Sequence, residues 1–244
     1  MGASDWVLRA IADEDRQRFV AEGWWAEQTL GQLLAERLST HRDLPFVIHS
    51  ATRPWRGTFG DLLDLSRRVA AGLSRLGVGV GDVVSFQTPN WIEGAATFYG
   101  AALLGAVAAP VVHFYGSREL AYILRQCEPR VHVTASRFGP QDFLANLASI
   151  PDLRAMEVVV VGDDLPAEFS SFDQLTAADP ITAPSSADPA GPALVGWTSG
   201  TTANPKGVIH SHQTVQAEVR QLGATSPPQN RPALIANPIS HAIG

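Results

Sequence analysis

Short, unbroken apolar runs recur along this chain, and a segment with helical spacing separates each from the next. The runs are Val83-Val84-Ser85-Phe86, Val107 to Val112, Val131-His132-Val133-Thr134 and Glu157-Val158-Val159-Val160-Val161. A run that is apolar at consecutive positions suits a strand covered on both faces. Such strands, alternating with helical stretches of roughly 10–15 residues, predict a mainly parallel sheet flanked by helices and joined by right-handed crossovers. The expected fold class is therefore α/β.

The helical stretches carry their own start and stop signals. Thr58 with Asp61 three positions on forms a capping-box pattern, and Leu62, Leu65, Val69, Leu73 and Leu76 follow at helical spacing until Gly77. Asn90 is read as the cap of the next helix, which runs to about Gly105. Ser117 opens a further helix ending near Cys127, and Phe143, Leu144 and Leu147 belong to a short one. The stretch from Gly94 to Gly116 has no formal charge and is long enough to cross a bilayer. Its glycines, its alanines, Pro110 and His113 fit a buried helix followed by a buried strand instead.

Composition narrows the function classes. Of the 244 residues, 45% are hydrophobic and 17% charged, and the net charge is −6. That balance excludes a disordered chain or a coiled coil, and it leaves no basic footprint for nucleic acid or anionic membrane. The single cysteine, Cys127, excludes an internal disulfide and a cysteine-based zinc site. The N-terminus lacks the pattern of a signal peptide, so the cytoplasm is the expected compartment.

From Asp163 to Pro192 the composition shifts to Asp, Ala, Pro and Ser, with Pro180, Pro184, Pro189 and Pro192 leaving little room for regular structure. The expected organisation is an α/β sub-domain over 1–165, a connection over 166–192, and the start of a second sub-domain over 193–244. Asp163-Asp164 reads as a solvated turn rather than a pair of metal ligands, because no other carboxylate or histidine is spaced to join it.

After the connection, the apolar strand Ala193-Leu194-Val195-Gly196-Trp197 runs into Thr198-Ser199-Gly200-Thr201-Thr202-Ala203-Asn204-Pro205-Lys206-Gly207. Hydroxyls at Thr198, Ser199, Thr201 and Thr202, a turn at Gly200 and a cation at Lys206 suit a phosphate cradle. Successive backbone amides can form an anion nest, and charge-assisted hydrogen bonds to phosphate are strong. By composition alone a polar surface turn stays open beside that reading. The segment is neither a Walker A loop nor a dinucleotide fingerprint, and no G-x-S-x-G elbow accompanies Ser199.

The ordered string TSGTT-x-x-PKG resembles the signature loop of the adenylate-forming superfamily: acyl-CoA synthetases, luciferases and peptide-synthetase adenylation domains. Further matches are Gly81-Asp82-Val83-Val84, Pro89-Asn90 with Glu93, Gly105-Ala106-Val107 with Pro110, and Pro238 with His241 and Gly244. Trp24-Trp25 and the N-terminal texture look most like medium-chain and cyclic-carboxylate CoA ligases. The resemblance implies a chain that is the N-terminal part of the large domain of an acyl-adenylate-forming enzyme. Such enzymes join a carboxylic acid to ATP as acyl-AMP, then pass the acyl group to coenzyme A. By the same resemblance Thr198, Ser199, Gly200, Thr201, Thr202 and Lys206 hold the ATP phosphates, with Mg2+ sharing their charge near Thr202. His241 lies beside the acyl chain or is an ordinary half-buried histidine. His210 and His212 support the loop rather than react.

Two departures from the family pattern stand out. Ala203 replaces a usual glycine, which would cost about 1 kcal/mol if that position needs a positive φ. The family is also roughly twice as long, so the downstream adenine- and ribose-binding segments and the C-terminal domain are expected to be missing. A complete catalytic set is then not expected in this chain, and weak or absent activity follows. The alternative is a non-catalytic binding module built on the half-fold, self-associating or meeting a partner chain through an open sheet edge. A P-loop NTPase is disfavoured by the missing Walker pattern.

Overall fold

The apolar runs form the strands of one sheet. The computed structural model describes residues 6, 8, 10–151, 156–163, 165–198, 204–225 and 233–241. The chain begins with α1 (Asp13–Ala21), α2 (Leu30–Thr40), β1 (Pro45–Ile48) and β2 (Trp55–Thr58). There follow α3 (Phe59–Arg75), β3 (Val83–Gln87), α4 (Ile92–Leu103), β4 (Val107–Pro110), α5 (Ser117–Cys127) and β5 (Val131–Ala135). Next come β6 (Arg137–Phe138), β7 (Gln141–Asp142), α6 (Phe143–Ala148), β8 (Glu157–Val161), β9 (Ser170–Ser171) and α7 (Phe172–Thr176). The last elements are β10 (Pro192–Thr198), β11 (Lys206–Ser211) and α8 (His212–Thr225).

The main sheet has seven strands in the order β11-β10-β4-β3-β5-β8-β9. All its pairings are parallel except β10 with β11, which is antiparallel. The expected α/β sheet flanked by helices is therefore present. Alternate residues of each strand feed opposite faces. Val84 and Phe86 pack with α3, α4 and α7, whereas Val83, Val107, Ala109, Val195 and Trp197 pack with α5 and α6.

Local signals explain the helices. Thr58 Oγ1 accepts from Asp61 N (3.2 Å) and Asp61 Oδ2 accepts from Thr58 N (2.8 Å), which closes the anticipated capping box of α3. Gly77 follows the helix at φ +82°, a left-handed conformation that a side chain would resist. The uncharged stretch after Gly94 is the buried α4 followed by β4. Among the described residues no helix is long and apolar enough to cross a membrane.

Two expectations are corrected. Asn90 does not cap α4. Trp91 occupies that position without a side-chain hydrogen bond, and the Asn90 carboxamide is engaged elsewhere in the fold. The proline-rich connection is not devoid of regular structure. It contains β9, which joins the main sheet, and α7, whose capping box pairs Ser171 with Gln174. Phe172 and Leu175 bury α7 against the core, and a Cβ added to Gly72 would lie 2.0 Å from Leu175 O. Helices α3 and α7 thus touch backbone to backbone. Beyond α7 the chain stays strapped down: Ile181 N donates to Arg67 O (3.3 Å) and Ser185 N to Leu103 O (2.8 Å). Prolines ended the helix but did not prevent packing.

Candidate functional site

Strand β10 lies parallel to β4, so its last residue, Thr198, sits at the carboxyl edge of the sheet. Open α/β sheets bind ligands at that edge, where loops leave the strand ends. The chain returns as β11 in antiparallel register, with Thr198 opposite Lys206 and Trp197 opposite Gly207. The signature segment is thus the loop of a β-hairpin, its two ends held side by side. Thr198 Oγ1 donates to Lys206 O at 3.4 Å. Pro205 is buried while Thr198 and Lys206 are exposed, so the proline seats the returning strand and the cation projects into solvent. Gly207 is there for space: an added Cβ would lie 3.0 Å from the Trp197 ring and 3.1 Å from Val195 Cγ1.

Of the anticipated phosphate-binding residues, the structure therefore brings Thr198 and Lys206 together. Ser199, Gly200, Thr201, Thr202 and the variant position Ala203 lie outside the described residues, as does Asp164. Asp163 lies in the bend after β8. Among the described residues no group of three histidine, cysteine or carboxylate side chains is placed to hold a metal ion. The donor set at the hairpin end, a hydroxyl and an ammonium, suits an anion rather than a bare cation.

The two histidines after the loop do not serve it. His210 is opposite Leu194, near the far end of the hairpin. His212 is buried at the start of α8, where its Nδ1 accepts from Leu30 N (3.2 Å) at the first turn of α2. It joins α8 to α2, roughly 20 Å along the strand from Lys206. Burial pushes its pKa down, with Asp188 opposing the shift.

The same carboxyl edge carries the segment that follows β3. Asn90 Nδ2 donates to Asn237 O (3.0 Å), and Asn90 Oδ1 accepts from Ile239 N (2.8 Å). His241 N donates to Pro238 O (2.9 Å), closing a turn. The His241 residue is exposed, whereas Ser240 beside it is buried. On the neighbouring turn, Glu93 is largely buried and receives both Nε (3.0 Å) and Nη2 (2.9 Å) of Arg53, whose guanidinium also lies over Trp91. Arg53 was not visible as a site-region residue in the sequence, since nothing local marks it.

Residues 34–244 match the family described as AMP-binding enzyme. The chain belongs to that family. Among its AMP-binding relatives, a 4-coumarate–CoA ligase of Pinus taeda is 33% identical over 190 residues, which is 76% of this chain and 34% of the relative. The long-chain-fatty-acid–CoA ligase FadD13 of Mycobacterium tuberculosis is 28% identical over 198 residues, or 81% of this chain and 38% of the relative. The inhibitor-bound N-terminal domain of FACL13 from Mycobacterium tuberculosis superposes with a TM-score of 0.75 at 26% identity, covering 88% of this chain and 52% of that one. The chain spans about a third of the length of the curated relatives it matches. The relatives' names span aryl and fatty acids, so membership of the AMP-binding family fixes the chemistry class and leaves the acid open.

Proposed function

We propose that this chain is the nucleotide-phosphate-binding part of an acid–CoA ligase that adenylates a carboxylic acid with ATP and then forms its CoA thioester. The observation that carries the reading is the TSGTTANPKG string, placed as the loop of the β10–β11 hairpin at the carboxyl edge of the sheet. Thr198 and Lys206 flank the loop and grip the ATP phosphates, with Ser199, Gly200, Thr201 and Thr202 completing the cradle. Mg2+, held near Thr202 through the phosphates, neutralises charge on the departing pyrophosphate. The chain's own contribution is to fix the phosphates and to offer donors where negative charge accumulates. His241 borders the acyl group. The substrate is a fatty, medium-chain, cyclic or aryl carboxylate, and the reaction takes place in the cytoplasm. We keep the division at 1–165, 166–192 and 193–244 as part of this proposal. Since the chain spans about a third of its relatives, we expect it to support acid-dependent ATP–pyrophosphate exchange weakly or not at all by itself.

The test is calorimetric binding of ATP and of inorganic pyrophosphate to the chain, followed by exchange assays with aliphatic, alicyclic and aryl acids. Binding of both phosphates that is lost on substituting the loop supports the proposal. Tight ATP binding indifferent to loop substitutions, or acid-independent ATP hydrolysis, overturns it.

A further inference from the structure

The reading of Asn90 as a helix cap fails, and what replaces it is informative. A cap bonds within its own turn, but this carboxamide reaches residues 147 and 149 positions away. It uses both halves at once, donating through Nδ2 to Asn237 O and accepting through Oδ1 from Ile239 N. That is the pairing a neighbouring peptide group would make, so the side chain takes the place of an absent strand. Between the two bonded backbone groups lies Pro238, whose carbonyl accepts from His241 N (2.9 Å). The base of the turn bearing His241 is therefore gripped by Asn90. The contact is seated in the fold at both ends. Ile239 packs against the main core, and a Cβ added to Gly94 in the first turn of α4 would lie 3.6 Å from Ile239 Cγ2.

We propose that Asn90 is a positioning residue for the acid-binding step: its carboxamide holds the backbone of Asn237 and Ile239, and so fixes where His241 stands at the carboxyl edge of the sheet. The inference rests on the acyl-site reading of His241 given above. Asn90 does not touch the acid. It sets the direction from which the Pro238–His241 turn meets it. Two long-range hydrogen bonds to one short segment are a stronger constraint than that segment's own turn, because they tie it to β3 and α4 rather than to itself.

The experiment uses Asn90→Ala, Asn90→Asp, His241→Ala and the Asn90→Ala/His241→Ala pair in this chain. Asn90→Asp keeps an acceptor for Ile239 N–H and loses the donor to Asn237 O, so it is the milder variant if Asn90→Ala folds poorly. Amide exchange at Ile239 and His241 reports the clamp. Acid affinity is read by calorimetry with octanoate, cyclohexanecarboxylate, benzoate and 4-coumarate as probes. The expected result is exchange at Ile239 accelerated at least tenfold in Asn90→Ala and less in Asn90→Asp. Acid affinity falls about five- to tenfold in Asn90→Ala, with no further loss when that change is added to His241→Ala. Unchanged exchange at Ile239 in both Asn90 variants overturns the clamp. Accelerated exchange with unaltered acid affinity, or with losses that add to those of His241→Ala, overturns the positioning role. If the unsubstituted chain binds none of the acids, the acyl-site reading falls and the inference falls with it. The exchange data then show whether the clamp itself was real.

Discussion

Acidification should loosen this fold through one residue at the centre of its sheet. His132 on β5 is fully buried, with Nδ1 2.7 Å from Ser85 Oγ on the adjacent β3. Burial drives its pKa down from 6.5 to about 4. Between those values the unfolded chain takes up a proton that the folded chain refuses. The unfolded state binds more protons there, so stability rises with pH across the window and is lost as pH falls from about 6.5 towards 4. Integrating the linkage relation with these two values gives a loss of about 1 kcal/mol at pH 5.5 and about 3 kcal/mol at pH 4, relative to pH 7. Other groups also titrate, including His113 and His212, whose pKa values burial lowers. The assay therefore compares two proteins. Urea unfolding followed by tryptophan fluorescence at pH 7, 6, 5 and 4 is measured for the chain and for His132→Asn, whose amide retains a partner for Ser85. The variant should be less stable at pH 7 and have a shallower acid slope, so that the difference between the two narrows by about 3 kcal/mol at pH 4. Parallel slopes would refute the assignment of acid sensitivity to His132.

Further expectations follow from the same geometry. Lys206→Ala should weaken binding of ATP and pyrophosphate about tenfold or more, yet shift the urea midpoint by no more than about 0.5 kcal/mol, because the side chain is exposed. Gly72→Ala should destabilise by about 1–2 kcal/mol in urea unfolding. The helix-propensity gain of about 1 kcal/mol is smaller than the cost of driving α7 off α3, given the 2.0 Å approach to Leu175 O. Thr58→Ala should cost about 1 kcal/mol by the same measurement through loss of the α3 capping box, while Asp61→Asn should cost less because its amide oxygen can still accept from Thr58 N.

What the sequence disclosed was local or repetitive. The strands at Val83, Val131 and Glu157 and the Thr58–Asp61 cap were legible because each signal lies within a few residues of its effect. The same kind of signal exists at Thr29-x-x-Gln32 and Ser171-x-x-Gln174, where capping boxes start α2 and α7. The first was passed over, and the second was hidden by the proline-rich composition around it. Asn90 shows the other limit. Asparagine before an apolar helix is a good cap by type, and only the folded chain reveals partners 147 and 149 residues away. His212 was misread for a related reason: adjacency to the loop in sequence places it at the opposite end of β11, against α2. The phosphate string was legible as chemistry, yet nothing in it announced that β11 turns back antiparallel beside β10.

That reversal bears on the order in which the chain assembles. Parallel strands must wait for a crossover helix, and β10 meets β4 through Leu194 and Ala108, residues far apart in the chain. The β10–β11 hairpin closes over a separation of only 8 residues between Thr198 and Lys206. Hairpins form in about 1–10 μs, well ahead of non-local sheet pairing. The two ends of the loop can therefore meet before the rest of the sheet exists. A substitution that slows docking of β10 onto β4 would delay the fold while leaving closure of the loop itself untouched.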